Sequence, residues 1–242
     1  MKICVAQTQS AAGNLEFNIR HHLRFVRLAA NRGTELIVFP ELSLTGYQPK
    51  LAGISAITLH DSRLEILQKT AENLNITICV GVPLKFDQGI TISSLFFRPK
   101  MDFSIYSKNY IHPDEEDYFI PGTVEPIINF KKAKAAFAIC FEVAVEDHFQ
   151  EISRRQNDLY IASVAKSYCG ITLAHNRLAY IARTGGFPVL VSNCVGSCEE
   201  FEGGGKSAVF DDQGNLVLSL DESGEGIIIF DTNDKNAEGI NI

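Results

Sequence analysis

Glu35-Leu36-Ile37-Val38-Phe39-Pro40-Glu41 is the stretch on which the reading of this chain turns. Residues 35–40 (ELIVFP) form a short, almost unbroken apolar run. A strand with one wet face alternates, so an unbroken run points to a strand covered on both faces, as in a sheet lined by helices or by another sheet. The run ends on proline, and a carboxylate follows at once.

Working outward, residues 2–7 alternate into a first strand. Residues 15–30 place Ile19, Leu23, Val26 and Ala30 at helical spacing, and Asn31-Arg32-Gly33 closes that helix with glycine in the left-handed conformation. After the decisive run, Asp61-Ser62 caps a second helix over residues 62–75, which carries Leu64, Ile66, Leu67 and Ala71. Strands are expected over 76–84, 90–97, 103–108, 124–130 and 135–140. A helix over 145–155, a strand over 159–164 and a helix over 171–183 come next. The remainder is strand-rich, over 188–193, 207–210, 216–220 and 226–230, with Asp211-Asp212-Gln213-Gly214 turning a hairpin. About a dozen strands against four helices is too few helices for a doubly wound sheet. The pattern predicts an α+β fold of two mainly β sheets packed face to face with helices outside. No repeat, linker or low-complexity segment interrupts it, so residues 1–242 read as one domain.

The chain has 242 residues, 45% hydrophobic and 21% charged, with a formal net charge of −7. No basic block offers a nucleic-acid footprint or a partner for an anionic membrane. The opening MKICVAQTQS is too short for a secretory core, and no run has transmembrane length, so a cytoplasmic location is expected. The six cysteines lack framework spacing and read as reduced thiols, mostly buried apolar groups.

Three polar residues then stand out because each falls at the end of a strand. Glu41 follows residues 37–40, Lys108 ends residues 103–107, and Cys140 ends residues 135–139. Sites in α/β proteins gather beyond the carboxyl ends of strands, where an acid, an amine and a thiol could converge. Singly, each has an ordinary reading: a loop glutamate, an edge lysine, a core cysteine.

Their surroundings add specificity. The words Phe39-Pro40-Glu41-Leu42-Ser43-Leu44-Thr45-Gly46-Tyr47, Tyr106-Ser107-Lys108 and Ile139-Cys140-Phe141-Glu142, in that order, resemble the nitrilase, or carbon–nitrogen hydrolase, superfamily. His112-Pro113-Asp114-Glu115-Glu116-Asp117-Tyr118-Phe119-Ile120-Pro121-Gly122 looks like the acidic, aromatic, Pro-Gly segment after that family's lysine. Gly205-Lys206-Ser207-Ala208-Val209-Phe210-Asp211 resembles its late serine strand. The resemblance implies a four-layer αββα sandwich and a catalytic set of Glu41, Lys108 and Cys140. A second glutamate falls best on Glu115, with Glu116 adjacent as the other register.

The implied chemistry is that of a cysteine-dependent hydrolase of small linear amides. Glu41 would take the thiol proton, Cys140 would attack, and Lys108 with the Phe141 N–H would hold the oxyanion. Glu115 would position Lys108 or the substrate. No metal or organic cofactor is called for, and the family implies a homodimer or higher homo-oligomer. Nitrile or carbamoyl hydrolysis, and a catalytically silent binding protein, are the alternatives.

Other features are blander. Gly203-Gly204-Gly205-Lys206-Ser207 fails as a phosphate loop and reads as a flexible loop entering a strand. Cys194 and Cys198 lack histidines at zinc spacing. His112 and His175 read as structural. Where the family carries an aromatic-proline pair after its cysteine, this chain has Val143-Ala144-Val145-Glu146. Where the family has Asn-Trp-Pro, it has Ser163-Val164-Ala165-Lys166-Ser167. Lys166 reads as a solvated loop charge, with attraction of a substrate carboxylate as its other reading.

Overall fold

A computed structural model describes residues 1–130 and 133–242. Strand β1 (Lys2–Gln7) leads through helix α1 (Leu15–Ala30) to β2 (Leu36–Val38). A short helix α2 (Ala52–Ser55) and helix α3 (Glu65–Leu74) precede β3 (Thr77–Phe86), β4 (Gly89–Phe97) and β5 (Ser104–Ser107). Then come β6 (Ile127–Asn129), β7 (Lys134–Ile139), α4 (Glu146–Ser153), β8 (Leu159–Ser163), α5 (Tyr168–Gly185) and β9 (Val189–Ser192). The last third holds β10 (Val195–Ser197), β11 (Glu202–Gly204), β12 (Ala208–Phe210), β13 (Leu216–Ser219), β14 (Gly226–Asp231) and β15 (Asn236–Asn241).

The strands form a seven-stranded sheet, β15-β14-β1-β2-β3-β4-β5, and a six-stranded sheet, β13-β12-β9-β8-β7-β6, beside a small β10-β11 ribbon. Each large sheet has three parallel strands at its centre, β1-β2-β3 and β7-β8-β9, with antiparallel strands on both flanks. The two apolar clusters explain the layering. Ile3, Val5, Leu36 and Val38 face Phe137 and the second sheet, while Cys4, Ala6 and Ile37 face Leu15, Ile19, Leu23 and Val26 of α1 and Leu67 and Ala71 of α3. Phe149, Ile152, Ile171 and Leu178 of α4 and α5 cover the outside of the second sheet. The result is the αββα sandwich expected, and residues 36–38 read as unbroken apolar because both faces are covered.

The sheets are also tied by polar bonds. The Ser163 hydroxyl donates to Phe39 O (2.9 Å), and the Ser192 hydroxyl donates to Ala6 O (2.6 Å). Phe96 and Tyr106 meet Phe137 edge-on, with ring centroids 5.1 and 5.7 Å apart.

Several elements differ from the sequence expectation. Strand β7 stops at Ile139, and Cys140 opens a short 3-10 turn over Cys140–Ala144 instead of ending the strand. The helix expected over 62–75 starts as a 3-10 turn, Ser62–Leu64, capped by Asp61, and Asn75 ends α3 in the left-handed region at φ 52°. Residues 203–204, read as flexible loop, pair with β10. Strand β15 was not expected, because its mostly exposed NAEGIN sequence carries no apolar alternation.

Gly81 in β3 lets the chain beyond β2 fold close over the sheet. A Cβ there would lie 2.3 Å from Leu42 N and 2.7 Å from Pro40 O. Gly81→Ala is therefore expected to displace the Pro40–Leu42 turn and lower Tm by roughly 3–10 °C. Thermal denaturation measures this, and an unchanged Tm would contradict the close packing.

Candidate active site

The strands place four chain ends together. In the first sheet β2 and β5 run in the same direction, since β5 lies two antiparallel steps from β3 and β3 is parallel to β2. Their carboxyl ends carry Glu41 and Lys108. The second sheet contributes the ends of β7 and β8, which carry Cys140 and Ala165.

Beyond β2, Phe39 N still donates to Cys79 O (2.9 Å), and a turn then closes with Ser43 N donating to Pro40 O (3.2 Å). Leu42 holds φ 51° in this turn, and Leu44 N donates to Gly81 O at 3.0 Å. Glu41 is pinned between these anchors and is 2% exposed.

Lys108 is 0% exposed. Its backbone N–H donates to Ile92 O (2.8 Å), and its carbonyl accepts from Gly122 N (2.7 Å). A Cβ at Gly122 would fall 2.4 Å from Ser107 O, which explains the glycine of the Pro121-Gly122 pair. The Lys108 ammonium donates to Glu41 Oε1 (2.9 Å) and to both Glu115 oxygens (3.0 and 2.8 Å). Glu115 sits in the 3-10 turn Pro113–Glu115 and also accepts from the Tyr47 hydroxyl (2.8 Å) and His112 N (3.0 Å). Glu116 is exposed. Of the two adjacent glutamates, the structure thus brings Glu115 to Lys108.

Burial works to lower the Lys108 pKa, but Glu41, Cys140 and Glu115 outweigh it and raise it, so the amine stays charged. Burial raises the Glu41 pKa above the ordinary carboxylate value, against the pull of Lys108 and with a further push from Glu115. A carboxylate displaced upward is better matched to proton transfer near neutrality.

Cys140 adopts φ 45°, a left-handed backbone that costs a non-glycine residue about 1–2 kcal/mol. Its Sγ donates to Ala165 O (3.6 Å), and the thiol also lies against Glu41, whose carboxylate it helps to stabilise. Among the described residues, Glu41 Oε2 has no hydrogen-bond partner. Cys140 remains 8% exposed. Burial, then the Glu41 charge, push its thiol up to about 11, with Lys166 and Lys108 pulling the other way. The resting thiol is neutral.

No role for Glu142 is legible in the sequence, yet this fully buried carboxylate fixes the geometry. It accepts from Ile139 N (2.7 Å), Asn109 N (2.6 Å) and the Tyr106 hydroxyl (2.8 and 2.9 Å). It therefore staples the end of β7, next to Cys140, to the residues flanking Lys108. The only signal in the sequence was an acid two residues beyond an apolar strand. Phe141, in the first turn of the 3-10 segment, has an N–H with no intrahelical acceptor, and its ring meets His112 edge-on at 5.0 Å. Tyr47 and Phe201 pack beside Ala165, Cys194 and Cys198, whose sulfurs are 3.5 Å apart. No group of three or more metal-ligating side chains occurs among the described residues. His175 bonds Lys206 O (2.9 Å), so its partner is structural.

With the fold and these contacts in view, the comparisons define the class. The chain belongs to the carbon–nitrogen hydrolase family, whose model matches residues 2–239. It is similar to a probable nitrilase of Schizosaccharomyces pombe, 25% identical over 244 residues, covering 95% of this chain and 88% of that protein. It also resembles a glutamine-dependent NAD(+) synthetase of Thermotoga maritima, 29% identical over 150 residues, with 59% of this chain matched to only 26% of that protein. Its fold is that of a Nesterenkonia sp. AN1 amidase (TM-score 0.86, 18% identity), covering 96% of this chain and 92% of that one. Structures of that amidase include one with butyramide and one with the acetamide moiety of fluoroacetamide added at its active-site cysteine.

The Glu142 staple has a measurable signature. Burial is the first cause that lifts its carboxyl to about 7, against the bonds it accepts. The unfolded chain releases this proton near an ordinary value of about 4.3. Between those two values the native state holds the proton longer, so this group makes stability fall as pH rises. Glu142→Gln is expected to lose about 1.5–3 kcal/mol and to flatten that slope in thermal melts. A slope identical to the unsubstituted protein's would overturn the assignment.

Proposed function

We propose that the chain hydrolyses a small linear amide through a thioester on Cys140, releasing ammonia or an amine. The observation that carries this reading is a neutral thiol beside a buried carboxylate, Glu41, which holds a buried ammonium, Lys108, through Oε1.

A thiol at about 11 is a poor nucleophile until its proton is removed. Glu41 takes that proton as Cys140 Sγ attacks the carbonyl carbon, so no standing thiolate is needed. The oxyanion is met by the Lys108 ammonium and the Phe141 N–H, and losing one such donor typically costs about 100- to 1,000-fold in rate. The proton on Glu41 then passes to the departing nitrogen, the C–N bond breaks, and a thioester remains. Glu41 next takes a proton from water, hydroxide adds to the thioester, and collapse returns the acid and the free thiol. Glu115, fixed by Tyr47 and His112 N, keeps the ammonium on its line. Within this reading, residues 1–242 act as one such domain.

A nitrile entering the same site would form a thioimidate with the same three side chains, so a matched nitrile and amide must be compared. No helix among the described residues is long and apolar enough to cross a membrane. We further propose, from the family, a homo-oligomer working in the cytoplasm.

Cys140→Ala is expected to abolish ammonia release from an amide panel while leaving the thermal melt intact; retained hydrolysis would sink the proposal. For the active chain, kcat/KM is expected to climb with pH on a limb displaced above the ordinary glutamate range, following Glu41. Above that limb it should stay level until the range of the thiol, about 11, is approached. A second rise on that plateau would mean that thiol ionisation, and not Glu41, supplies the nucleophile.

A further inference from the structure

Two cysteines meet beside the site and take no part in the reaction proposed above. The Cys194 and Cys198 sulfurs lie 3.5 Å apart, in contact as thiols. Four steps of extended chain would set their α-carbons about 13 Å apart. The chain between them bends instead at Gly196, which holds φ 74° and where a Cβ would also fall 2.5 Å from the Gln9 side chain. On the facing strand, a Cβ at Gly203 would come within 2.9 Å of the Cys194 sulfur. One glycine brings the sulfurs together and the other leaves them room. Both thiols are buried, which favours a partner within the chain over one outside it.

The pair is linked to the residues that hold Lys108. Cys198 N donates to Phe201 O (2.9 Å), and Glu199 N donates to Tyr47 O (3.1 Å). The Tyr47 and Phe201 rings pack with centroids 5.6 Å apart, and the Tyr47 hydroxyl bonds Glu115. Ala165, whose carbonyl accepts the Cys140 thiol, shares one apolar cluster with both cysteines. A disulfide is about 2.05 Å long, so closing one here draws the sulfurs together by roughly 1.5 Å. Close-packed neighbours pass such a shift on. Cys194 holds its proton more firmly than an ordinary thiol, first because it bonds the Cys198 sulfur and then because it is buried. It is the second thiol of the pair, and Cys198 is the sulfur that attacks.

We propose that Cys194 and Cys198 are a modification site for small hydroperoxides, which convert the pair to a disulfide, distort the wall beside Cys140 and slow the reaction of that thiol with electrophiles. The Cys198 sulfur attacks a peroxide oxygen, the O–O bond breaks, and the other oxygen leaves as water or an alcohol with the thiol proton. The Cys194 sulfur then attacks the resulting sulfenic acid, the S–O bond breaks, and its oxygen leaves as water with the Cys194 proton. The two thiols lose two electrons and the peroxide gains them. Cys140, a thiol at about 11, presents little thiolate to the same oxidant.

Trypsin separates the sulfurs for measurement, since residues 184–206 carry Cys194 and Cys198 and residues 135–154 carry only Cys140. The full chain is treated with hydrogen peroxide, freed of it, and labelled with iodoacetamide over time before digestion and mass spectrometry. The 184–206 peptide is expected to take up no label and to be about 2 Da lighter than its dithiol form. Labelling of Cys140 in the 135–154 peptide should slow by about 10-fold or more, the scale of a displacement near 1 Å at a reacting centre. Dithiothreitol should restore both, and the C198S chain should show no slowing on the same treatment. A 184–206 peptide that still takes two labels overturns the proposal. So does a disulfide that leaves Cys140 labelling unchanged, or a C198S chain slowed as much as the unsubstituted one. The readout uses no hydrolysis, so its failure and that of the amide reading are separate.

Discussion

A lysine ammonium fully withdrawn from water sets the terms for the rest of this molecule. Lys108 keeps its charge only because Glu41 and Glu115 approach it from two other segments, with three hydrogen bonds of 2.8–3.0 Å. Removing one partner of such a group leaves an uncompensated buried charge, at a typical cost of about 3–5 kcal/mol. The turn after β2, the end of β5 and the 113–115 turn therefore cannot move independently. Gly81 and Gly122 belong to the same constraint, since a side chain at either would push the two turns off the sheet. Tyr47 and His112 N occupy the remaining capacity of Glu115 and hold it to one orientation.

Cys140 meets this network from the opposite sheet and carries its own constraint. A left-handed backbone on cysteine persists only where the surroundings determine it. Here Glu142 does so by accepting from Ile139 N on one side and from Asn109 N and Tyr106 on the other. One carboxylate thus fixes both the angle of the turn and its distance from Lys108. The division of labour between two buried acids follows from their partners: Glu142 has donors on both oxygens, whereas Glu41, with the thiol nearby, keeps one oxygen free of any hydrogen bond among the described residues.

Much of the architecture was legible because burial leaves a periodic trace. Helix α1 was readable to the residue, since Leu15, Ile19, Leu23 and Val26 face one sheet and Glu16, Arg20 and Arg24 between them face water. The unbroken apolar run at residues 36–38 was readable for the opposite reason, both of its faces being covered. Strand β15 left no trace because an edge strand owes its form to backbone pairing with β14, which asks little of its side chains. The β10-β11 ribbon was hidden for a similar reason: Gly203 and Gly204 are there for close packing against Cys194 and Tyr168, and glycine reads as loop. At the candidate site, Glu41, Lys108 and Cys140 were visible as polar residues where apolar strands stop. Glu142 and Tyr47 were not, because their meaning depends on contacts across 36 and 68 residues of sequence. Glu115 could be separated from Glu116 only by the turn that buries one and exposes the other.

Base and nucleophile in this fold are supplied by different sheets. Glu41, Lys108 and Glu115 ride with the seven-stranded sheet, Cys140 and Ala165 with the six-stranded one, and the two are joined face to face by Ser163–Phe39, Ser192–Ala6 and the Phe137 ring contacts. A strand advances by about 3.3 Å per residue, roughly the reach of one hydrogen bond. A slip of one sheet over the other by a single residue would therefore separate thiol from carboxylate while leaving every strand and most of the core formed. The sandwich behaves as a vernier: the chemistry reads how well its two scales are aligned, and does so more finely than the fold itself requires.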